Sequence, residues 1–241
     1  MPGRSPDEHV VMFCHNEASM ADAAAAYLLG AIRHGGAGVA VVTPEHARQI
    51  DQRITDAGLD PLAARAEGGY LVVDANAAIG QVLTRGWPDP AAFWRTMSPV
   101  IRRAGNGGQR PVRVCGEMVS LLWQADEFGA AMDVDALWNE LARQHRVGLM
   151  CAYLGTGGFG AGSASLAGPV LGSVTSDAAD ELALLIAAHT RIGFSDRKDH
   201  CRRYFNGNDR PSSAKIISTL SDSRINFATS PTATGGTLIC S

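Results

Sequence analysis

Lysine is nearly missing from this chain: Lys198 and Lys215 are the only two. A phosphate-gripping loop of the form GxxxxGK[ST] needs a lysine on the β/γ-phosphates. The segment where such a loop would fall, Cys14-His15-Asn16-Glu17-Ala18-Ser19-Met20, has neither glycine nor lysine. This argues against nucleotide hydrolysis by that route and leaves bare nucleotide binding open. Net positive charge is missing too. A formal charge of −3 provides no basic field for nucleic acid. No apolar run approaches the length of a membrane span, and the polar stretch 1–8 lacks a signal-peptide core. The five cysteines, Cys14, Cys115, Cys151, Cys201 and Cys240, are an odd number with no CxxC pair. They read as reduced thiols of a cytoplasmic protein, not as a disulfide framework.

What is present is an alternation of strands and helices in a chain of 241 residues, 46% of them hydrophobic. Strands are expected at 9–14, 38–43, 70–74, 112–115 and 147–154, from short apolar runs with β-branched residues. Helices are expected at 20–34, from Pro44 to about Ala57, at 61–67, 76–85, 91–104 and 134–145. Gly35-Gly36 and Gly58 close the first two, and Pro44 suits a first turn. Asn16 or Ser19 is the expected cap of the first helix. Asp89 before Pro90 and Asp133 before Val134 are read as later helix starts. Such alternation implies α/β architecture: a mainly parallel sheet covered by helices on both faces.

The organisation expected is an N-terminal tail at 1–8, one α/β domain at 9–205 and a polar, flexible tail at 206–241. A Gly/Ser-rich loop spans 155–173, and a helix is expected at 177–189. Within the loop, Gly155-Thr156-Gly157-Gly158-Phe159-Gly160 matches GxGxxG. A dinucleotide fingerprint must open a helix, and this one opens onto more glycine, serine and proline. No cofactor is assigned on it.

The stretch that organises the domain is Val112-Arg113-Val114-Cys115-Gly116-Glu117, a buried strand that breaks at a carboxylate. Open α/β sheets place ligands at the carboxyl ends of their strands. A carboxylate there must be paired, hydrated or used, so Glu117 reads equally as an ion-pair partner or a ligand contact. Cys14, His15, Cys115 and Cys151 are expected near the same edge. Their donor types suit zinc or iron, but no metal-type spacing is present, and cysteines in strands are ordinarily small hydrophobes. No metal is therefore assigned. A Cys–His nucleophilic pair would lack a third member. Trp123, Trp138 and Tyr153 can wall a small apolar pocket, although aromatics at such spacing more often belong to a core.

Together, Cys115-Gly116-Glu117-Met118-Val119-Ser120-Leu121-Leu122-Trp123, Leu137-Trp138-Asn139-Glu140-Leu141-Ala142 and Leu149-Met150-Cys151-Ala152-Tyr153 resemble the MEDS domain. This is the sensory domain of methanogens, methylotrophs and the dichloromethane-responsive repressor DcmR. Further matching positions are His9 with Phe13, Thr43-Pro44-Glu45-His46 and Val73-Asp74-Ala75. The match covers roughly residues 9–154. The resemblance implies a RecA/KaiC-like three-layer fold with strand order 3-2-4-5-1 and no phosphate loop. Cys115 stands where a metal-binding aspartate would fall in the related ATPases. That order would gather Cys14, Cys115 and Cys151 on one rim beside Glu117. Beyond His200 no output domain is recognisable, so such a sensor would act through a partner.

The reading is a non-catalytic, small-molecule sensory domain of signal transduction or transcriptional regulation. Its expected ligand residues are Cys14, His15, Asn16, Glu17, Cys115, Glu117, Trp123, Trp138 and Tyr153. Its expected partners are a small-molecule ligand and a regulatory protein, with no membrane or direct nucleic-acid contact; homodimerisation fits a regulator. Two alternatives remain: a Cys- or metal-dependent enzyme at the same edge, and an interaction module on a degenerate nucleotide fold.

Overall fold

The computed structural model describes residues 9–14 and 16–154 in full, and the backbone of three further strands at 191–195, 202–206 and 237–239. The Gly/Ser-rich loop at 155–173, the helix expected at 177–189 and most of the 206–241 tail lie outside the described residues.

Five parallel strands form the centre: β1 (His9–Cys14), β2 (Ala37–Val42), β3 (Tyr70–Asp74), β6 (Val112–Gly116) and β7 (Gly148–Leu154). Their order across the sheet is β1-β7-β6-β2-β3. This is the order 3-2-4-5-1 implied by the resemblance, with β6 and β7 as the fourth and fifth strands of the sequence reading. β1, β2 and β6 are almost wholly apolar because helices bury both of their faces. On one face lie α1 (Glu17–Ile32), α2 (Pro44–Asp56) and α3 (Pro61–Ala66). They pack Met20, Leu28, Ile50 and Ile54 against Val10, Met12, Ala40 and Met150. On the other lie α4 (Ala75–Val82), α5 (Pro90–Ala104), α6 (Met118–Gln124) and α7 (Phe128–His145). They pack Phe93, Met97, Trp138 and Leu141 against Val11, Val39, Val114 and Leu149.

Several helix starts follow from side-chain caps. Thr43, Asp60, Asp74 and Asp89 each accept backbone N–H bonds from the first turn they open. At Asn16 the reciprocal capping box with Ser19 is complete: Asn16 Oδ1 accepts from Ser19 N at 2.8 Å, and Asn16 N donates to Ser19 Oγ at 3.1 Å.

Three expectations need correction. The fourth helix ends at Val82, not near residue 85. Leu83–Thr84 (β4) and Trp87–Pro88 (β5) form a small hairpin instead, with Arg85 and Gly86 both at positive φ. The helix expected to start at Val134 begins at Phe128, and Asp133 is an exposed residue within it, not its cap. The true start carries no cap signal, because the Glu127 side chain makes no cap hydrogen bond and Gly129 lowers helix propensity in the first turn. Finally, the sheet continues past β1. β8 (Arg191–Ser195) pairs parallel with β1, and β9 (Arg202–Asn206) and β10 (Thr237–Ile239) follow antiparallel. Part of the stretch read as a polar tail is thus a strand. Among the described residues no helix is long and apolar enough to cross a membrane.

Candidate functional site

Glu117 sits where β6 gives way to α6, and it is buried. Its backbone N–H donates to Val41 O at 3.1 Å, which holds it against the end of β2. Its position is that of an N-cap, yet its side chain does not cap α6. The carboxylate turns instead toward the β2–α2 junction. There it accepts from the Thr43 backbone N–H, and Oε2 lies 2.5 Å from Nδ1 of His46. His46 occupies the first turn of α2 and is buried as well. Burial alone would lower the imidazole pKa. The hydrogen bond and charge of Glu117, with the charges of Glu17 and Glu45, outweigh it and raise the pKa above 6.5. The carboxylate–imidazole pair bridges the two helical layers: α2 belongs to one face of the sheet and α6 to the other. A carboxylate offers about four acceptor positions. Two are taken here, so each oxygen retains a lone pair.

The other expected residues are divided between the two faces. Cys14 and Cys115 are buried under the α1 layer. Tyr153 and Trp138 lie under the α4–α7 layer, and Cys151 joins them four residues into β7 instead of at the rim. The pleat alternates side chains across the sheet, so neighbouring strand order does not put all three thiols on one side. Trp138 is a core residue, edge-on to Phe93 at 5.2 Å between ring centroids. Trp123 is half-buried against Phe128 at 4.8 Å. Asn16 and Glu17 are exposed at the start of α1. His15 lies outside the described residues. A cleft of about 430 Å³ between the β4–β5 hairpin and the start of α7 contains none of the nine.

The α4–α7 face holds a second polar cluster. His9 Nδ1 lies 2.7 Å from Asn139 Oδ1, and His9 Nε2 lies 3.2 Å from Cys151 Sγ. Asn139 Nδ2 donates to Asp135 Oδ2 at 3.1 Å. Asp135 Oδ1 is 3.9 Å from both His9 Nε2 and Cys151 Sγ. Burial lowers the His9 pKa to about 4, against the raising effect of Asn139, and lifts Asp135 to about 7. Burial also pushes Cys115 and Cys151 well above the ordinary thiol range, reinforced by nearby acidic groups.

His46, Asp135 and Asn139 are absent from the expected site residues, as is His9. His46 and His9 stand among the family-like positions, but nothing local marks them as partners of Glu117 or Cys151. Asp135 and Asn139 do carry a signal. They are polar residues at i and i+4 on a helix face otherwise made of Ala131, Val134, Trp138 and Ala142.

The fold and the buried pair at its carboxyl edge define a three-layer α/β protein with no phosphate-binding lysine before position 198. The family model for MEDS, the methanogen/methylotroph, DcmR sensory domain, matches residues 8–160. The chain belongs to that family. No curated protein is similar enough in sequence to count as a relative. Among solved structures, a KaiC-like protein from the hyperthermophilic archaeon Pyrococcus horikoshii aligns with 13% identity and a TM-score of 0.48. That alignment covers 83% of this chain and 78% of the other.

Proposed function

We propose that the domain senses a small neutral or cationic molecule at the carboxyl edge of its sheet and transmits the change to a regulatory protein. Family membership supplies the sensory role in its coarse form. The finer reading rests on the Glu117–His46 bond, which ties the β6–α6 junction to the start of α2. A ligand that takes up Glu117 in place of His46 would bind one arrangement better than the other and shift the population between them. The helices on the two faces would then change their hold on each other.

Charge at this edge narrows the ligand class. Glu17 and Glu45 act on His46 along with Glu117; Arg48 pairs with Glu45, which among the described residues leaves Glu17 as the unoffset charge beside the Glu117–His46 pair. Such an edge disfavours phosphates and other anions. In this reading Glu17 lies at the rim, Asn16 holds the start of α1, and Cys14 and Cys115 form apolar flooring. Tyr153, Trp138 and Trp123 support the opposite layer. Burial keeps Cys115 and Cys151 as thiols, the opposite of an activated nucleophile. That favours sensing over a cysteine-dependent enzyme.

Native mass spectrometry of the protein purified under mild conditions tests the reading. The wild type should carry a small organic adduct. Glu117→Gln should weaken its retention by tenfold or more, because loss of a charge-assisted hydrogen bond costs about 1.5–3 kcal/mol. A folded Glu117→Gln protein that holds the adduct as tightly as wild type would remove Glu117 from the site.

A further inference from the structure

We propose that His9, Asp135 and Cys151 form a binding site for a divalent transition-metal ion of the zinc class, separate from the Glu117 edge. Each residue offers one ligand atom, and all three of these atoms lie within 4.8 Å of one another. The triangle they form has sides of 3.2 Å from His9 Nε2 to Cys151 Sγ, and 3.9 Å from Asp135 Oδ1 to each of the others. Tetrahedral zinc with Zn–S of about 2.3 Å and Zn–N or Zn–O of about 2.0–2.1 Å requires donor separations of roughly 3.3–3.6 Å. The existing triangle brackets that size, so shifts of a few tenths of an ångström at each donor would close it around an ion. The donor set is one nitrogen, one oxygen and one sulfur, which suits a borderline ion better than magnesium or calcium.

The surroundings are arranged as metal ligands need them. Asn139 Oδ1 can only accept, so the bond to His9 Nδ1 places the imidazole proton on Nδ1. That leaves the Nε2 lone pair facing Cys151 and Asp135. The amide nitrogen of Asn139 donates to Asp135 Oδ2 and to the Asp135 carbonyl, leaving Oδ1 on the donor side. One side chain thus orients two ligands, the task of an outer-shell residue. All three ligand residues are buried. The Asp135 carboxylate and the Cys151 thiolate would together offset the charge of a dication, as a low-dielectric interior requires. On binding, the thiol proton leaves to solvent or buffer base and the Cys151 sulfur donates to the ion. An independent observation points to the same place. Among the described residues, the Tyr153 hydroxyl is buried and has no hydrogen-bond partner. It lies on the same face of β7 as Cys151, two residues along the strand. An ion-bound water in the fourth position could supply that partner.

Cobalt(II) serves as the probe, using the full chain stripped with chelator and desalted. One equivalent should produce sulfur-to-cobalt charge-transfer absorption in the near-ultraviolet and the strong visible bands of four-coordinate cobalt; zinc should displace both. Cys151→Ala and Cys151→Ser should lose the charge-transfer band, and Asp135→Asn should lose stoichiometric binding. A protein with Cys14, Cys115, Cys201 and Cys240 all replaced by alanine should keep the band. Asn139→Ala should weaken binding by roughly 10- to 100-fold. Wild-type protein that binds no stoichiometric cobalt, or binds it without the thiolate band, overturns the proposal whatever the variants do. So does a band that persists in Cys151→Ala. Both outcomes are independent of any ligand at Glu117.

Discussion

The imidazole pKa of His46 is raised by a carboxylate that has left water to reach it. Both side chains are buried, and the 2.5 Å contact is what makes the charged form tolerable there. Because the folded-state pKa is raised above 6.5, this pair contributes fully below about pH 6.5. Its contribution is lost as pH rises through the folded value. His46→Gln keeps a donor for Glu117 but removes the titration. The stability gap between wild type and His46→Gln, read from urea midpoints, should therefore shrink as pH rises from 6 upward. His46→Ala leaves Glu117 buried beside the Thr43 N–H alone and should cost on the order of 3 kcal/mol at pH 6. A gap that is constant across that range would show that the fold does not raise the imidazole pKa, and one that widens would show that the imidazole is neutral in the folded protein.

Among the elements, α1 shows how a residue expected at a ligand site is first of all a piece of local structure. Asn16 closes a capping box, and its side chain, backbone N–H and carbonyl all bond within the first turn. Asn16→Ala should destabilise the protein by about 1 kcal/mol, whereas Asn16→Asp should stay within a few tenths of wild type. Thermal unfolding of both variants measures this. A ligand role for Asn16 would show separately, as weaker ligand retention in Asn16→Asp at unchanged stability. The start of α7 is the opposite case. It has no side-chain cap, and packing of Ala130, Ala131, Val134 and Trp138 into the core sets where the helix begins.

At the scale of the whole molecule, β1 lies inside the sheet, between β7 and β8. All six of its residues are buried. A chain ending at Leu154 would keep most of the family-matched region but lose the strand that covers β1. An apolar strand with unpaired backbone groups is a template for pairing with other chains. Such a truncation should self-associate at concentrations where the full chain does not, as read by light scattering coupled to size-exclusion chromatography. A truncated chain that behaved like the full one would mean that β8 is dispensable to the domain.

What the sequence determined by itself was what local pattern encodes. Apolar runs marked β1, β2, β3, β6 and β7, and Asn16 and Asp89 marked helix starts. The lack of lysine excluded a phosphate loop, and Glu117 stood out as a carboxylate at a strand end. These follow from period, propensity and composition within a few neighbouring residues. The tertiary structure alone decided which groups meet. His46 and Glu117 are 71 residues apart, and His9 and Asn139 are 130 apart. Nothing in either segment specifies the other. Strand order brings them near, the pleat selects the face, and α7 supplies Asp135 and Asn139 through a start that no cap residue announces. The same pleat put Cys151 on the opposite face from Cys14 and Cys115, because a contact across a sheet depends on register and side as well as on which strands are neighbours.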